Sequence, residues 1–242
     1  MNLKIKYLLK KLLFALQLDL TRNQRYDRLT LRIMKRILRP GSCCIDVGCH
    51  KGEILDVILK LSPEGNHWAF EPIPEFCRQL EKKYTGRAVH IMPFALSDEK
   101  QTVSFQHVLN APAYSGLKKR KYDIKNPLIQ EITVEAVPLD QILNQAVKID
   151  FMKIDVEGAE YAVIRGAKEM IARDKPVIIF EFGTGAADCY GVNARMMYEL
   201  LGANGLQISL LKNYLRNEPS LSLQALEDCF SSGREYYFIA HP

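Results

Sequence analysis

From residue 43 onward the chain alternates short apolar runs with segments of helical period, and this alternation constrains the fold more than any other feature. Residues 43–47, 67–70, 88–93, 149–154 and 176–182 read as buried strands. Residues 53–61, 74–84, 158–172 and 193–201 repeat apolar side chains at spacings of three and four, the helical period. Strands separated by helices of this length join in parallel, with the helices covering both faces of one sheet. Two further β-branched runs, 102–107 and 132–137, flank a polar loop at 110–130. Residues 206–211 and 236–240 are expected to form an antiparallel pair at the end of the chain. The expected fold is therefore α/β: a Rossmann-like, mostly parallel sheet with an antiparallel C-terminal strand.

Charge divides the chain differently. Residues 1–40 hold eleven Lys and Arg against two acids, whereas the whole protein of 242 residues has a formal net charge of only +5. The expected organisation is a basic helical extension over 1–40 and a mildly acidic body over 41–242. Within the extension Ile5, Leu8, Leu9, Leu12, Leu16 and Leu20 form an apolar stripe, with Lys4, Lys6, Lys10 and Lys11 on the opposite side. Such a helix can lie on anionic lipid or pack its stripe on the body. The lysines break any continuous apolar core of a signal peptide, and no run approaches a membrane span.

The six cysteines show neither a C-x-x-C pair nor zinc-ligand spacing. Free thiols imply a reducing, cytoplasmic setting, with a peripheral position at the inner face of a membrane as the lipid-binding option. The basic run Lys118, Lys119, Arg120 and Lys121 is short and lacks interleaved aromatics, so no nucleic-acid partner is expected.

In sheets of this kind ligands bind beyond the carboxyl ends of the strands, where strand order reverses. Four strand ends therefore matter. Asp46-Val47-Gly48-Cys49-His50-Lys51-Gly52 places an acid and two glycines at a strand-to-helix turn, which is either a small-molecule cradle or a turn that recruits Gly for backbone reasons. Glu71 follows Gly48 by 23 residues, the offset at which a strand-end acid bonds a ribose hydroxyl. In Lys153-Ile154-Asp155-Val156-Glu157-Gly158-Ala159-Glu160 the polar Lys153 and Asp155 share a face, and Glu157 and Glu160 suit a helix start. Glu181 ends the neighbouring strand. With Asp155 it can share a divalent cation, position a substrate hydroxyl, or form a purely structural pair; no metal-ligand set is assigned.

These motifs together resemble the FkbM family of S-adenosylmethionine-dependent methyltransferases. The matching pieces are Asp46-Val47-Gly48 with Gly52, Phe70-Glu71-Pro72-Ile73-Pro74, Ala95-Leu96-Ser97-Asp98, Val137-Pro138-Leu139-Asp140 and Lys153 through Glu160, in family order. The resemblance implies a seven-stranded class I methyltransferase sheet and S-adenosylmethionine as cofactor. It places Asp46, Gly48, His50 and Gly52 at the amino acid end of the cofactor, Glu71 at the ribose, and Ala95, Leu96 and Asp98 at the adenine. His50 stands where many relatives carry Asn. Family members mostly methylate hydroxyls of sugars or polyketide-like products, which implies a small-molecule or glycan acceptor.

Transfer of an activated methyl to a hydroxyl needs in-line alignment and removal of a proton. Asp155 is the candidate base, Glu181 the second and His50 the third; His107 has weaker support. The 110–130 loop, with Tyr114 and Ser115, is a candidate acceptor lid. Two other readings use the same residues. One is a nicotinamide-dependent oxidoreductase, against which the missing G-x-G-x-x-G counts. The other is a non-catalytic module that docks to a membrane or a glycan-synthesis partner through residues 1–40.

Overall fold

The computed structural model describes residues 21–120, 122, 124–143 and 146–242. The apolar stripe from Ile5 to Leu20 and the side chain of Lys121 lie outside them. Thr21 opens helix α1 (Arg22–Ile37) with a capping box, its hydroxyl receiving the Gln24 N–H while the Gln24 side chain receives the Thr21 N–H. Tyr26, Leu29, Thr30, Ile33 and Met34 fall on one face of α1 and are buried. This part of the basic extension therefore packs on the body. No helix among the described residues is long and apolar enough to cross a membrane.

The body follows as β1 (Cys44–Val47), α2 (Glu53–Leu61), β2 (His67–Phe70), α3 (Pro74–Lys83), β3 (Val89–Met92), β4 (Phe94–Leu96), β5 (Gln101–Val108) and β6 (Ile129–Val137). It continues with β7 (Phe151–Ile154), α4 (Glu160–Arg165), α5 (Lys168–Asp174), β8 (Val177–Glu181), α6 (Ala194–Ala203), β9 (Gln207–Leu210), α7 (Leu211–Leu215), α8 (Leu223–Ser232) and β10 (Tyr237–His241). Seven strands form the main sheet in the order β3-β2-β1-β7-β8-β10-β9. β1, β2, β3, β7 and β8 are parallel, and β10 runs antiparallel to both its neighbours. The mostly parallel seven-stranded sheet and its antiparallel C-terminal strand thus match the expectation.

Five strands of the main sheet (β1, β2, β7, β8 and β10) are buried or nearly so along their length. Their alternate side chains feed two apolar cores, one containing Ile45, Val47, Met152, Ile154 and Phe180, the other Cys44, Phe151, Ile179 and Ile239. α1 covers the second core through Ile33 and Met34.

Two details depart from the sequence reading. The apolar run at 88–93 ends at Pro93, which has no N–H to donate, and the chain leaves the main sheet there. β4 then joins a second sheet in the order β4-β6-β5, built from the β-branched runs that flank the polar loop. The helix expected over 158–172 is two helices with a break at Gly166, where an added Cβ would stand 1.9 Å from the Ser97 carbonyl oxygen. Helix α7 spans five residues, too few to show a period, and α8, of ten residues, is a helix the sequence reading does not assign.

Candidate active site

Chain order in the main sheet reverses at β1. From β1 the chain winds outward to β2 and β3, then returns to lay β7 on the other side of β1. The carboxyl ends of β1 and β7 therefore flank a crevice, as the general rule for such sheets requires. Asp46 pairs in register with Lys153, and Val47 with Ile154, so the two motifs that the sequence singled out separately share one strand boundary.

Gly48 turns the chain away from β1 with φ 78°. An added Cβ there would lie 2.0 Å from the Asp155 carbonyl oxygen. The turn thus uses its glycine to let the end of β7 approach, which is the backbone explanation for this residue. Its N–H and that of Cys49 donate to the Phe70 carbonyl, tying the turn to β2.

Glu71, at the end of β2, is 4% exposed. One carboxylate oxygen accepts the His50 N–H at 2.8 Å and the other the Ile73 N–H at 2.9 Å. Burial pushes its carboxyl up to about 7, against the pull of those two N–H donors. Gly48, His50, Glu71, Ile73, Ala95 and Leu96 line one cavity together with Phe94, Phe105 and Asp155. Apart from the acids and His50 its walls are mostly apolar.

The second cavity adjoins the first, sharing Gly48, His50, Asp155 and Glu157. Its floor holds Asp46, 2% exposed, whose Oδ2 has no hydrogen-bond partner. Burial raises this carboxyl to about 6, offset in part by the Lys153 ammonium. His50 Nε2 is likewise buried without a partner. Its ring meets the Phe76 ring edge-on at 4.8 Å, and burial lowers its pKa, so the imidazole stays neutral at pH 7.

Asp155 is the most heavily bonded acid of the site. Its Oδ2 accepts from Lys153 Nζ at 2.9 Å and from the Tyr237 hydroxyl at 2.5 Å. Ile154 pairs with Phe180, so the next residues on those strands, Asp155 and Glu181, stand side by side and share a hydrogen bond. Burial works against the Asp155 charge, but Lys153, Tyr237 and Glu181 outweigh it and hold this carboxyl below its usual value. Glu181 moves the other way: burial, then the Asp155 and Glu160 carboxylates, push it well up. Within the pair, the surroundings favour the ionised form at Asp155 and the protonated form at Glu181.

Several expected positions have other duties. Gly52, in a left-handed conformation, sits under the Tyr84 hydroxyl, which donates to its carbonyl at 2.9 Å. It opens α2 and lines neither cavity. Asp98 is ion-paired with Arg165 at 3.1 Å and also stands outside both cavities, because Ala95 and Leu96 face inward while the chain turns away at Ser97. Glu160, 1% exposed, opens α4 and accepts on one oxygen the N–H groups of Val156 and Gly158 in the loop before the helix. Glu157 is paired with Arg120. His107 is buried and lines neither cavity.

Asp155, Glu157 and Glu181 each bring a carboxylate oxygen within 4.8 Å of the other two. Two of these acids already have cationic partners, Asp155 in Lys153 and Glu157 in Arg120.

Tyr237 and Arg120 were missed by sequence reasoning. Tyr237 lies on a strand with no motif of its own, 82 residues from Asp155. Arg120 read as part of a solvated basic run; it instead reaches Glu157 and lies 5.3 Å from the Tyr114 ring centre. The 110–130 loop does cover the crevice in part, since Ala113, Tyr114, Ser115 and Leu117 contribute to its walls.

A doubly wound sheet in this strand order, with an acid at the end of β2 and a crevice at β1 and β7, is a Rossmann-like ligand-binding fold. The family described as Methyltransferase FkbM domain matches residues 46–205, and the chain belongs to this family. A 2-O-methyltransferase, NoeI, from Sinorhizobium fredii is 25% identical over 70% of this chain and 78% of its own length. The AMB antimetabolite synthetase AmbE from Pseudomonas aeruginosa is 23% identical over 74% of this chain, which corresponds to only 10% of that much longer protein. The crystal structure of the methyltransferase FkbM from Methylobacillus flagellatus superposes with a TM-score of 0.52 at 15% identity. It covers 87% of this chain, and this chain spans half of its length.

Proposed function

We propose that the protein is an S-adenosylmethionine-dependent O-methyltransferase whose acceptor is a hydroxyl of a sugar, glycan or natural product. The observation that carries this reading is that Glu71 and Asp155 line the same cavity from opposite sides of the β1 turn. One acid is placed for a ribose and the other for an acceptor. NoeI, by name a 2-O-methyltransferase, supports oxygen as the acceptor atom.

The residues present fit the cofactor. Glu71 keeps lone pairs for ribose hydroxyls beyond those used by His50 and Ile73. Phe94, Ala95, Leu96 and Ile73 offer an apolar slot for a purine. The unpartnered Asp46 Oδ2 is an acceptor suited to the ammonium of the amino acid end. When bound, S-adenosylmethionine supplies a methyl group already activated by its sulfonium.

The chain's own work is then positioning and proton removal. Asp155, held ionised by Lys153 and Tyr237, accepts the hydroxyl proton of an acceptor in the larger cavity. Glu181 donates to Asp155 and fixes its orientation. His50 Nε2, neutral and unpartnered, borders both cavities and is a second group able to take a proton.

The test is calorimetric titration with S-adenosylhomocysteine on the wild type and on Glu71→Ala, with far-UV circular dichroism to verify folding. Micromolar binding that weakens by more than about 30-fold in the variant supports the assignment, since charge-assisted bonds to a buried carboxylate are among the stronger ones. Equal binding by both folded proteins refutes the ribose role. Absence of binding to the wild type refutes the cofactor.

A further inference from the structure

The larger cavity has a volume of about 920 Å³, and one of its walls comes from outside the family-matched segment. Asn23, Asp27, Leu31 and Met34 of α1 line it. They follow one another at spacings of four, four and three, so they form a single stripe along the helix that runs from polar to apolar. This wall is firmly anchored. Arg25 and the Tyr26 hydroxyl both bond Glu235, at 2.8 and 2.6 Å, and Arg22 donates to the Gly233 carbonyl at 2.9 Å. Asn23 accepts from the Tyr236 hydroxyl, and Tyr26 stacks on Tyr237 at 4.9 Å. The helix is thereby tied to the strand whose Tyr237 holds Asp155.

The charge of the cavity is one-sided. Asp27, Glu53, Asp155 and Glu157 contribute carboxylates, and Asp46 lies in the floor. Among the described residues lining it, the cations are Lys153 and Arg120, each already bonded to a carboxylate. An anionic acceptor would bring a like charge into this enclosure with no uncommitted cation among its described lining residues to meet it.

We propose that α1 is the acceptor-selecting wall of the site, and that it admits neutral or amine-bearing polyhydroxylated rings while rejecting anionic ones such as uronates and sugar phosphates. The proposal rests on the methyltransferase reading above. Asn23 and Asp27 offer acceptors to ring hydroxyls, and Leu31 offers an apolar surface to the C–H face of a ring. Selection by α1 accounts for specificity residing in a segment that carries none of the family's motifs.

The protein saturated with S-adenosylhomocysteine is titrated with methyl glucoside, methyl glucosaminide and methyl glucuronoside, by calorimetry and saturation-transfer NMR. The expected result is glucuronoside binding at least about tenfold weaker than the other two. Asp27→Lys is expected to narrow that gap to about threefold or less, with S-adenosylhomocysteine affinity within about twofold of wild type. If Asp27→Lys does not fold, Asp27→Asn carries the same readout with a smaller change. Glucuronoside binding as tight as glucoside, an unchanged gap in a folded Asp27 variant, or no glycoside binding to the loaded protein overturns the proposal. Failure of S-adenosylhomocysteine itself to bind overturns the underlying cofactor assignment as well, and is read separately in the first titration.

Discussion

The Tyr237 hydroxyl donates to Asp155 Oδ2 at 2.5 Å, joining the antiparallel β10 to the loop that leaves β7. Lys153 Nζ bonds the same oxygen and lies 4.8 Å from the Tyr237 ring centre. Both contacts favour the ionised form of Asp155. Tyr237→Phe removes one of them, which raises the carboxyl pKa and moves the acid limb of the pH–rate profile to higher pH. Methyl transfer at neutral pH should fall by far less than the roughly 10²- to 10⁴-fold that loss of the base itself would cost, because Asp155 stays ionised there through Lys153. Cofactor affinity should stay within about twofold, because Tyr237 does not line the Glu71 cavity. An unshifted acid limb would remove Tyr237 from the mechanism.

Cofactor binding should depend on pH through Glu71. Its carboxyl, raised to about 7 by burial, can accept from a ribose at both oxygens only when ionised. Affinity for S-adenosylhomocysteine should therefore decrease as pH falls through about 7 and flatten below the free-carboxylate range. Titrations across that window on the wild type and on Glu71→Gln measure it directly. The variant has no carboxyl to titrate, so its residual affinity should lose that component of the pH dependence.

Glu160 separates hydrogen bonding from ionisation. Both N–H groups it satisfies donate to a single oxygen, which Gln retains. Its folded pKa is raised to about 7, above the ordinary carboxylate value, by burial. The folded state thus holds the proton longer than the unfolded state, and the protein loses stability from this group as pH rises from the ordinary value through about 7. Glu160→Gln should be close to neutral below that window and stabilising above it, by thermal unfolding at two pH values. Glu160→Ala leaves the Val156 and Gly158 N–H groups without this acceptor and should cost about 1 kcal/mol or more at either pH.

Gly48 and Gly86 both have positive φ, 78° and 76°, but their surroundings differ. Nothing lies within 4 Å of a Cβ at Gly86, whereas one at Gly48 meets the Asp155 carbonyl at 2.0 Å. Gly86→Ala should cost about 1 kcal/mol for its backbone conformation. Gly48→Ala should cost more than about 3 kcal/mol, because β1 and β7 must move apart. Urea denaturation of the two variants compares them, and equal losses would show that the close approach at Gly48 is readily relieved.

The chain sequence by itself determined the class of the fold. Buried runs such as 43–47 and 149–154, each followed by a helical period, have one way to hide both faces, which is a parallel sheet between helices. It also determined where to look, because acids that end apolar strands, Asp46, Glu71, Asp155 and Glu181, stand at the sheet's carboxyl edge whatever the detailed packing. The spacing also set Glu160 at the start of the helix that follows β7, where it binds the preceding loop rather than capping the helix. The sequence had no means of showing which strand-end residues face inward: Gly52 and Asp98 belong to the right motifs, yet Tyr84 and Arg165 claim them. Nor did it show that α1, read as a basic extension, would supply a cavity wall, or that Tyr237 would hold Asp155. Local periodicity reports the burial of a residue's own element, whereas the Tyr237–Asp155 and Tyr26–Glu235 contacts join residues 82 or more positions apart and exist only once the strand order sets β10 against β8, with α1 packed on it.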